Sequence, residues 1–221
     1  MHRLLARLGD PHAALPAVAV AGTKGKGSTA AMLSSILHHS GYRVGTYTSP
    51  HVTSLTERIA VGGMPISAAA LDALVARHAA EAEAAQAEEG GALSHFEVLT
   101  ALALAHFRAE GVEVAVVEAG LGGARDATNV FPAAGQLASV VTAVGGDHAA
   151  ALGGTLESIA AAKAGVMRAR RPAVIGRQPE AAAQAVLLQQ GGEVFRIGGP
   201  RILQHSREAA QNKRRLGVLV D

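Results

Sequence analysis

Short apolar runs alternate with amphipathic stretches along this chain. The apolar runs predict strands at Ala17–Ala21, Arg43–Thr48, Glu113–Glu118, Ala138–Val144, Ala173–Gly176 and Glu193–Ile197. The stretches between them predict helices at Ser28–Ser40, Ser67–Glu88, Phe96–Glu110, Thr155–Arg168 and Pro179–Gln190. Strands that alternate with helices in this order favour a doubly wound α/β fold with a mostly parallel sheet. Ligands of such sheets bind beyond the carboxyl ends of the strands.

Helical spacing also indicates which side chains should face the sheet. The helix over Ser28–Ser40 places four apolar residues on one face, namely Met32, Leu33, Ile36 and Leu37. The helix over Ser67–Glu88 begins with a capping serine at Ser67 and is expected to bury Leu71, Leu74 and Val75.

Composition restricts the possible partners and compartments. A chain of 221 residues without cysteine suits one α/β domain, which we place at residues 1–198, followed by a poorly packed tail at 199–221. The net charge of +2 does not favour nucleic acid as a partner, and no apolar stretch reaches the roughly 20 residues of a membrane span. No targeting segment is recognisable, and we expect the protein in the cytoplasm or the mitochondrion. We also expect it to be a monomer.

A glycine-rich segment joins the first predicted strand to the first predicted helix. It reads Gly-Thr-Lys-Gly-Lys-Gly-Ser-Thr over residues 22–29. Glycines let backbone N–H groups converge on an anion, and a helix N-terminus adds its positive dipole end. Lys26 could reach phosphate oxygens, and Ser28 or Thr29 could offer a hydroxyl to magnesium. The segment predicts a P-loop-type phosphate site, although a plain strand-to-helix turn is the alternative.

Polar residues also follow two other predicted strands. Ser49 precedes Pro50 at the end of the second strand, and Glu118 closes the apolar run of the third. A buried glutamate needs a cation, and Mg²⁺ prefers oxygen ligands. The alternatives are an ordinary turn serine and a structural salt bridge from Glu118 to an arginine.

His148 and Lys163 complete the set of unusual polar positions. His148 comes after the fourth strand, where an imidazole could bind metal or substrate, or could be an ordinary surface residue. Lys163 lies inside an alanine-rich helix, where spacing alone indicates a lysine that extends its ammonium to solvent.

Taken together, these residues resemble the folate-linked Mur-type ligases, dihydrofolate synthase and folylpolyglutamate synthase. The matching stretches are Gly22–Ser28, Thr48–His51, Glu57–Ile59, Ser94–Thr100, Glu118–Asn129, Gly146–His148 and Ala162–Gly165. The segments GARDATN and HFE are most similar to the dihydrofolate synthase branch of plants and algae.

The resemblance implies an ATP-dependent amide ligase that uses ATP and Mg²⁺. Such an enzyme joins L-glutamate to dihydropteroate, or to folate polyglutamate chains, through an acyl phosphate. The implied ATP-binding residues are Gly22, Thr23, Lys24, Gly25, Lys26, Gly27, Ser28 and Thr29. The implied metal ligands are Ser49, Glu118, His148 and, as a carbamate, Lys163. The implied catalytic residues are Lys26, His148 and Lys163. The implied pterin-binding residues are Ser94, His95, Phe96, Glu97, Arg125, Asp126 and Ala127.

Family members also have a C-terminal domain that contributes to the nucleotide and glutamate sites. Residues 201–221 do not resemble the family's continuation, so we expect a truncated chain in which the C-terminal glutamate-ligase domain is absent. Two other hypotheses remain open. One is a non-catalytic domain that binds Mg-ATP and pterin. The other is a Mur-type ligase for a cell-wall precursor, against which the segments around Phe96 and Asp126 argue.

Overall fold

The structure, a computed structural model, describes residues 1–190 and 193–196. The predicted tail at 199–221 and the last residue of the sixth predicted strand, Ile197, lie outside the described residues.

One eight-stranded sheet organises the described chain. The strands are β1 (Ala17–Ala21), β2 (Val44–Tyr47), β3 (Ile59–Val61), β4 (Met64–Pro65), β5 (Val114–Glu118), β6 (Gln136–Val141), β7 (Pro172–Ile175) and β8 (Glu193–Arg196). Their order across the sheet is β4-β3-β2-β5-β1-β6-β7-β8. Six neighbouring strands of this sheet run parallel, namely β2, β5, β1, β6, β7 and β8. Strands β3 and β4 pair antiparallel and extend the edge beside β2.

Helices cover both faces of this sheet. They are α1 (His2–Arg7), α2 (Lys26–His39), α3 (Ala68–Glu88), α4 (His95–Ala109), α5 (Leu156–Ala164) and α6 (Ala181–Gln189). Two short 3₁₀ helices lie at Leu55–Arg58 and Ala149–Leu152. None of the helices among the described residues is both long and apolar enough to cross a membrane.

Alternation along the strands divides the core between the two faces. On one face, Val20, Val44 and Val116 pack against α2. On the other, a larger cluster joins β2 and β5 to α1, α3 and α4, and a third cluster joins β1, β6 and β7 to α5 and α6. The predicted doubly wound, mostly parallel α/β fold is therefore confirmed.

Most predicted bounds move by one or two residues, and two move further. The helix predicted over Thr155–Arg168 ends at Ala164, where the chain turns and the N–H of Met167 bonds to the Ala164 carbonyl. The strand predicted over Ala138–Val144 ends at Val141, because residue 143 pairs with the glycine-rich segment instead of a strand. The short elements α1, β3 and β4 were not predicted.

The predicted core faces of α2 and α3 are partly wrong. Met32 and Ile36 are 60% and 62% exposed, and Val75 is 48% exposed. The face of α2 that approaches the sheet instead carries the small residues Ala30 and Ser34, both of which are buried. Small side chains permit a closer approach of this helix to the strands.

Candidate nucleotide-binding site

The glycine-rich segment forms a tight turn at the carboxyl end of β1. Gly22 packs closely against Thr142, the residue that directly follows β6. A Cβ at position 22 would come 1.8 Å from Thr142 Oγ1. Gly25 precedes α2 with a left-handed φ of 84°, a conformation that glycine adopts without strain. Within the described chain, no side chain caps this helix N-terminus. Its first N–H groups therefore remain available to an anion.

Lys26 extends from the start of α2 toward two oxygen acceptors. Its Nζ lies 3.9 Å from Glu118 Oε1 and donates a long hydrogen bond of 3.4 Å to the Thr23 carbonyl. The Lys26 side chain is 18% exposed, while that of Glu118 is 4% exposed. The cation that meets Glu118 is thus this lysine, and no arginine among the described residues forms the alternative salt bridge.

Glu118 is a buried carboxylate at the carboxyl end of the central strand β5. Residue 118 is the register partner of Val20, so its side chain shares the face of the sheet that α2 covers. Its Oε2 accepts a hydrogen bond of 3.1 Å from the Ser49 backbone N–H, and a Cβ on Gly27 would lie 3.4 Å from the same oxygen. Burial raises the pKa of Glu118, while this N–H and Lys26 oppose the rise.

Lys163 is buried in α5 with 3% of its surface exposed, so the prediction of an ammonium extended to solvent is wrong. Its Nζ donates a hydrogen bond of 2.9 Å to the carbonyl of Gly22, the first glycine of the phosphate loop. Burial lowers the pKa of Lys163 to about 8, and the nearby Lys26 ammonium lowers it as well. Asp147 and Asp126 oppose this shift. The amine therefore holds its proton weakly and lies directly beside the loop.

The loop after β5 is shaped by its own polar side chains. Asp126 Oδ2 accepts from the Leu121 N–H at 2.7 Å, and Oδ1 accepts from the Thr128 N–H at 3.0 Å. Asn129 Nδ2 donates to the carbonyls of Ala124 and Gly165, both at 3.1 Å, and so ties this loop to the end of α5. The carboxylate of Asp126, predicted to contact pterin, organises this loop. Its neighbours Arg125 and Ala127 are exposed and half-buried, respectively.

His148 follows β6, as predicted, but lies further beyond the end of the strand than the sequence indicates. It lies seven residues beyond the end of β6, is exposed, and has a left-handed φ of 61° at the start of a 3₁₀ helix. Among the described residues, its ring makes no hydrogen bond with Ser49, Glu118 or Lys163. The structure therefore brings Ser49, Glu118 and Lys26 together through direct contacts, in which the exposed His148 does not take part.

The segment predicted to hold pterin forms the start of α4. Ser94 and Glu97 form a reciprocal capping box, in which Ser94 Oγ accepts from the Glu97 N–H at 3.2 Å and Glu97 Oε2 accepts from the Ser94 N–H at 2.9 Å. His95 is exposed. Phe96 packs against the loop after β5, since a Cβ on Gly120 would lie 2.7 Å from its Cζ, and its ring centroid lies 5.9 Å from that of Tyr47.

Two contacts that sequence reasoning missed hold the loops of this edge together. Thr23 Oγ1 donates to the Gly145 carbonyl at 3.2 Å and accepts from the Gly145 N–H at 3.0 Å. Gln178 accepts from the Val144 N–H at 2.9 Å and donates to the Thr142 carbonyl at 3.0 Å. Gln178 follows β7 closely, and that position at a strand's carboxyl end was the signal that could have identified it.

The donor set suits a magnesium ion that arrives with a nucleotide. In the described part of the chain, no three histidine, aspartate or glutamate side chains gather to form a metal cage. Mg²⁺ in phosphate sites is commonly bound by one or two carboxylates together with waters and phosphate oxygens. Glu118 is a buried carboxylate beside Ser49 and faces a phosphate loop, which fits that pattern.

The fold is a doubly wound α/β domain with a glycine-rich loop and a helix N-terminus at the carboxyl edge of the sheet, an arrangement typical of mononucleotide-binding domains. Residues 20–198 match the family described as the Mur ligase middle domain. The chain belongs to the Mur ligase family.

Named relatives and solved structures share this domain. The dihydrofolate synthase/folylpolyglutamate synthase of Bacillus subtilis (strain 168) is 44% identical over 183 residues, which cover 82% of this chain and 42% of that protein. A structure described as an FPGS-AMPPCP-folate complex superposes with a TM-score of 0.83 at 37% identity, over 92% of this chain and 51% of that one. Folylpolyglutamate synthase from Mycobacterium tuberculosis with ADP gives a TM-score of 0.80 at 38% identity, over 88% of this chain and 45% of the other. The chain spans less than half the length of the curated relatives it matches.

Proposed function

We propose that this chain is the ATP-binding part of an amide ligase that joins L-glutamate to dihydropteroate or to folate. The observation that carries the proposal is the meeting of Lys26, Glu118, Ser49 and Lys163 at one phosphate loop. The names of the relatives and the bound molecules of the solved structures support the same reaction class.

The proposed reaction has two steps. The carboxylate of the pteroate substrate attacks the γ-phosphorus of ATP, and ADP leaves to give an acyl phosphate. The amino group of glutamate then attacks the acyl carbon, phosphate leaves, and the nitrogen loses a proton. Magnesium, when bound, would neutralise charge on the transferred phosphoryl group.

The chain's own residues position the phosphates and offset their charge. The N–H groups at the start of α2 would bind phosphate oxygens, and Lys26 would exchange its long contact with Glu118 for a contact with the β- or γ-phosphate. Once Lys26 has moved away, Glu118 is an unpaired carboxylate beside Ser49. These two residues would then hold the metal ion.

As a carbamate, Lys163 would supply a second negative charge beside the glycine-rich loop. An amine with a pKa of about 8 is unprotonated in a fraction of molecules near neutral pH. The unprotonated amine can add CO₂ to form a carbamate and release one proton. That change would convert a buried cation beside Gly22 into an oxygen ligand, as the resemblance implies.

Phe96, Arg125 and Asp126 would form the pterin side of the site. Phe96 presents a half-buried ring next to the loop after β5, and Arg125 lies exposed in that loop. An aromatic ring of this kind can stack on a flat heterocycle. We infer that Asp126 contributes by fixing the loop, since both of its oxygens accept hydrogen bonds from it.

Product analysis tests the proposed function. The chain is incubated with dihydropteroate, L-glutamate, ATP and MgCl₂, and ADP and dihydrofolate are quantified by mass spectrometry. Equal amounts of ADP and dihydrofolate, lost in the Lys26→Ala variant, would support the ligase. ATP binding without dihydrofolate would contradict ligation by this chain and favour a nucleotide-binding domain that needs further residues to complete the reaction.

A further inference from the structure

A second concave site lies at the opposite edge of the sheet from the phosphate loop. It is a pocket of about 580 Å³ between the end of α1, the middle of α3 and the end of α4. Since α1 leads toward the start of β1, and α4 toward the start of β5, this pocket is at the amino edge of the sheet. The proposed ligase reaction uses none of its residues.

Basic side chains surround this pocket. Arg7, Arg77, His78 and Arg108 line it above an apolar base that includes Leu74. No carboxylate lines the pocket in the described part of the chain. Its volume falls within the range of roughly 300–1,000 Å³ that is usual for small-molecule sites.

One of these guanidinium groups is held in place by the backbone. Arg108 NH1 donates a hydrogen bond of 2.7 Å to the carbonyl of Gly9, in the turn that ends α1. A guanidinium has five N–H donors, so most of the donors of Arg108 remain after this contact. An ordered guanidinium loses less conformational entropy when it binds an anion.

The charges of the pocket are only partly neutralised by acidic neighbours. Arg7 forms an ion pair with Glu88 at the rim. Within residues 1–190 and 193–196, no ion pair is formed by Arg77 or Arg108. Glu81, one helical turn beyond Arg77, has a buried carboxylate oxygen without a hydrogen-bond partner and does not line the pocket. Two arginines without an ion pair among the described residues therefore line the same concave space.

We propose that this pocket binds a small molecule carrying two or more oxyanion charges, either a polycarboxylate or an organic phosphate. Arg77 and Arg108 approach from different helices and form the two cationic walls, and the planar guanidinium matches the spacing of carboxylate or phosphate oxygens. His78 adds an imidazole at the same wall as Arg77, and Leu74 provides apolar contact for the carbon skeleton.

Side-chain NMR of the full chain tests this proposal, with citrate and inorganic phosphate as probes in magnesium-free buffer. The Nε–H signal of Arg108 and the ring signals of His78 should shift saturably, with a dissociation constant of roughly 1 mM or tighter. Stronger binding of citrate would identify the polycarboxylate class, and stronger binding of phosphate would identify the phosphate class.

Three variants separate this pocket from other anion sites. Arg77→Gln, at an exposed helix position, should weaken binding roughly tenfold without unfolding the chain. Arg170→Gln, at an exposed arginine outside the pocket, should leave the affinity for the probe unchanged. Lys26→Ala should leave the probe-induced shifts of Arg108 and His78 intact. Equal affinity in Arg77→Gln, or no saturable shift at Arg108 and His78 with either probe, would overturn the proposal.

Discussion

Lys163→Met should abolish a dependence of stability on pH that the buried amine creates. Burial lowers the pKa of Lys163 from 10.5 to about 8. The unfolded chain therefore binds this proton more tightly than the folded chain, and the protonated lysine destabilises the fold. The difference between the two pKa values, about 2.5 (10.5 minus 8), lowers the free energy of unfolding by about 3 kcal/mol at pH values below 8.

The sign and pH range of the effect follow from the two pKa values. Between pH 8 and pH 10.5 the unfolded state still holds the proton while the folded state has lost it, so the free energy of unfolding rises with pH. From about pH 7 to about pH 9.5, wild type should gain about 2 kcal/mol relative to Lys163→Met. The hydrogen bond to the Gly22 carbonyl does not produce this trend, because the neutral amine donates it as well.

Urea denaturation of both proteins across this range, in CO₂-free buffers, measures the effect. Lys24→Met is the matched control, because Lys24 is an exposed lysine of the same phosphate loop and should not reproduce the trend. A constant stability difference between wild type and Lys163→Met at all pH values would refute the placement of Lys163 as a desolvated amine.

Three further changes have defined outcomes. Gly22→Ala should lower the free energy of unfolding by about 2 kcal/mol or more in urea denaturation, because the new Cβ would lie 1.8 Å from Thr142 Oγ1. Gly146→Ala has open space and should change it by less than about 0.5 kcal/mol; equal effects of the two would contradict the close approach at Gly22. Glu118→Gln should weaken magnesium-dependent ATP binding in calorimetry. Burial raises the pKa of Glu118 above its unfolded value of about 4.5. The free energy of unfolding of wild type should therefore fall, relative to this variant, as pH rises from about 4.5 toward neutrality. The opposite trend would argue against a desolvated carboxylate. Asp126→Asn should destabilise by about 1–3 kcal/mol in thermal denaturation, since an amide N–H₂ cannot accept the loop's hydrogen bonds, and an unchanged melting temperature would show that the loop does not depend on this carboxylate.

The sheet was predictable because apolar runs and turn residues alternate regularly along this chain. Glu118 was found in the same way, since a glutamate that closes an apolar strand is conspicuous in sequence. Its partner was not predictable, because the pairing of Glu118 with Lys26 depends on how α2 lies across the sheet. The short strands β3 and β4 escaped prediction, although the Gly62-Gly63 pair between them is a hairpin signal.

Helix α2 shows why hydrophobic spacing alone misplaced part of the core. Met32 and Ile36 are apolar, yet the buried positions are Ala30 and Ser34. Spacing identifies a face but not how closely the helix approaches the strands, and close approach favours small side chains. In the same way, a lysine in an alanine-rich helix gave no indication that its amine would reach the backbone of Gly22.

Calorimetric titration with ATP tests most directly whether the loop between β1 and α2 is a Mg-nucleotide site built on Lys26 and Glu118. Wild type should bind ATP in the presence of magnesium, and Lys26→Ala should weaken this binding by at least roughly tenfold, since it removes a charge-assisted contact to phosphate. Lys24→Ala, at the exposed lysine two residues earlier, is the control and should have a smaller effect. Unchanged ATP affinity in Lys26→Ala, or binding that is insensitive to magnesium and to Glu118→Gln, would contradict the assignment.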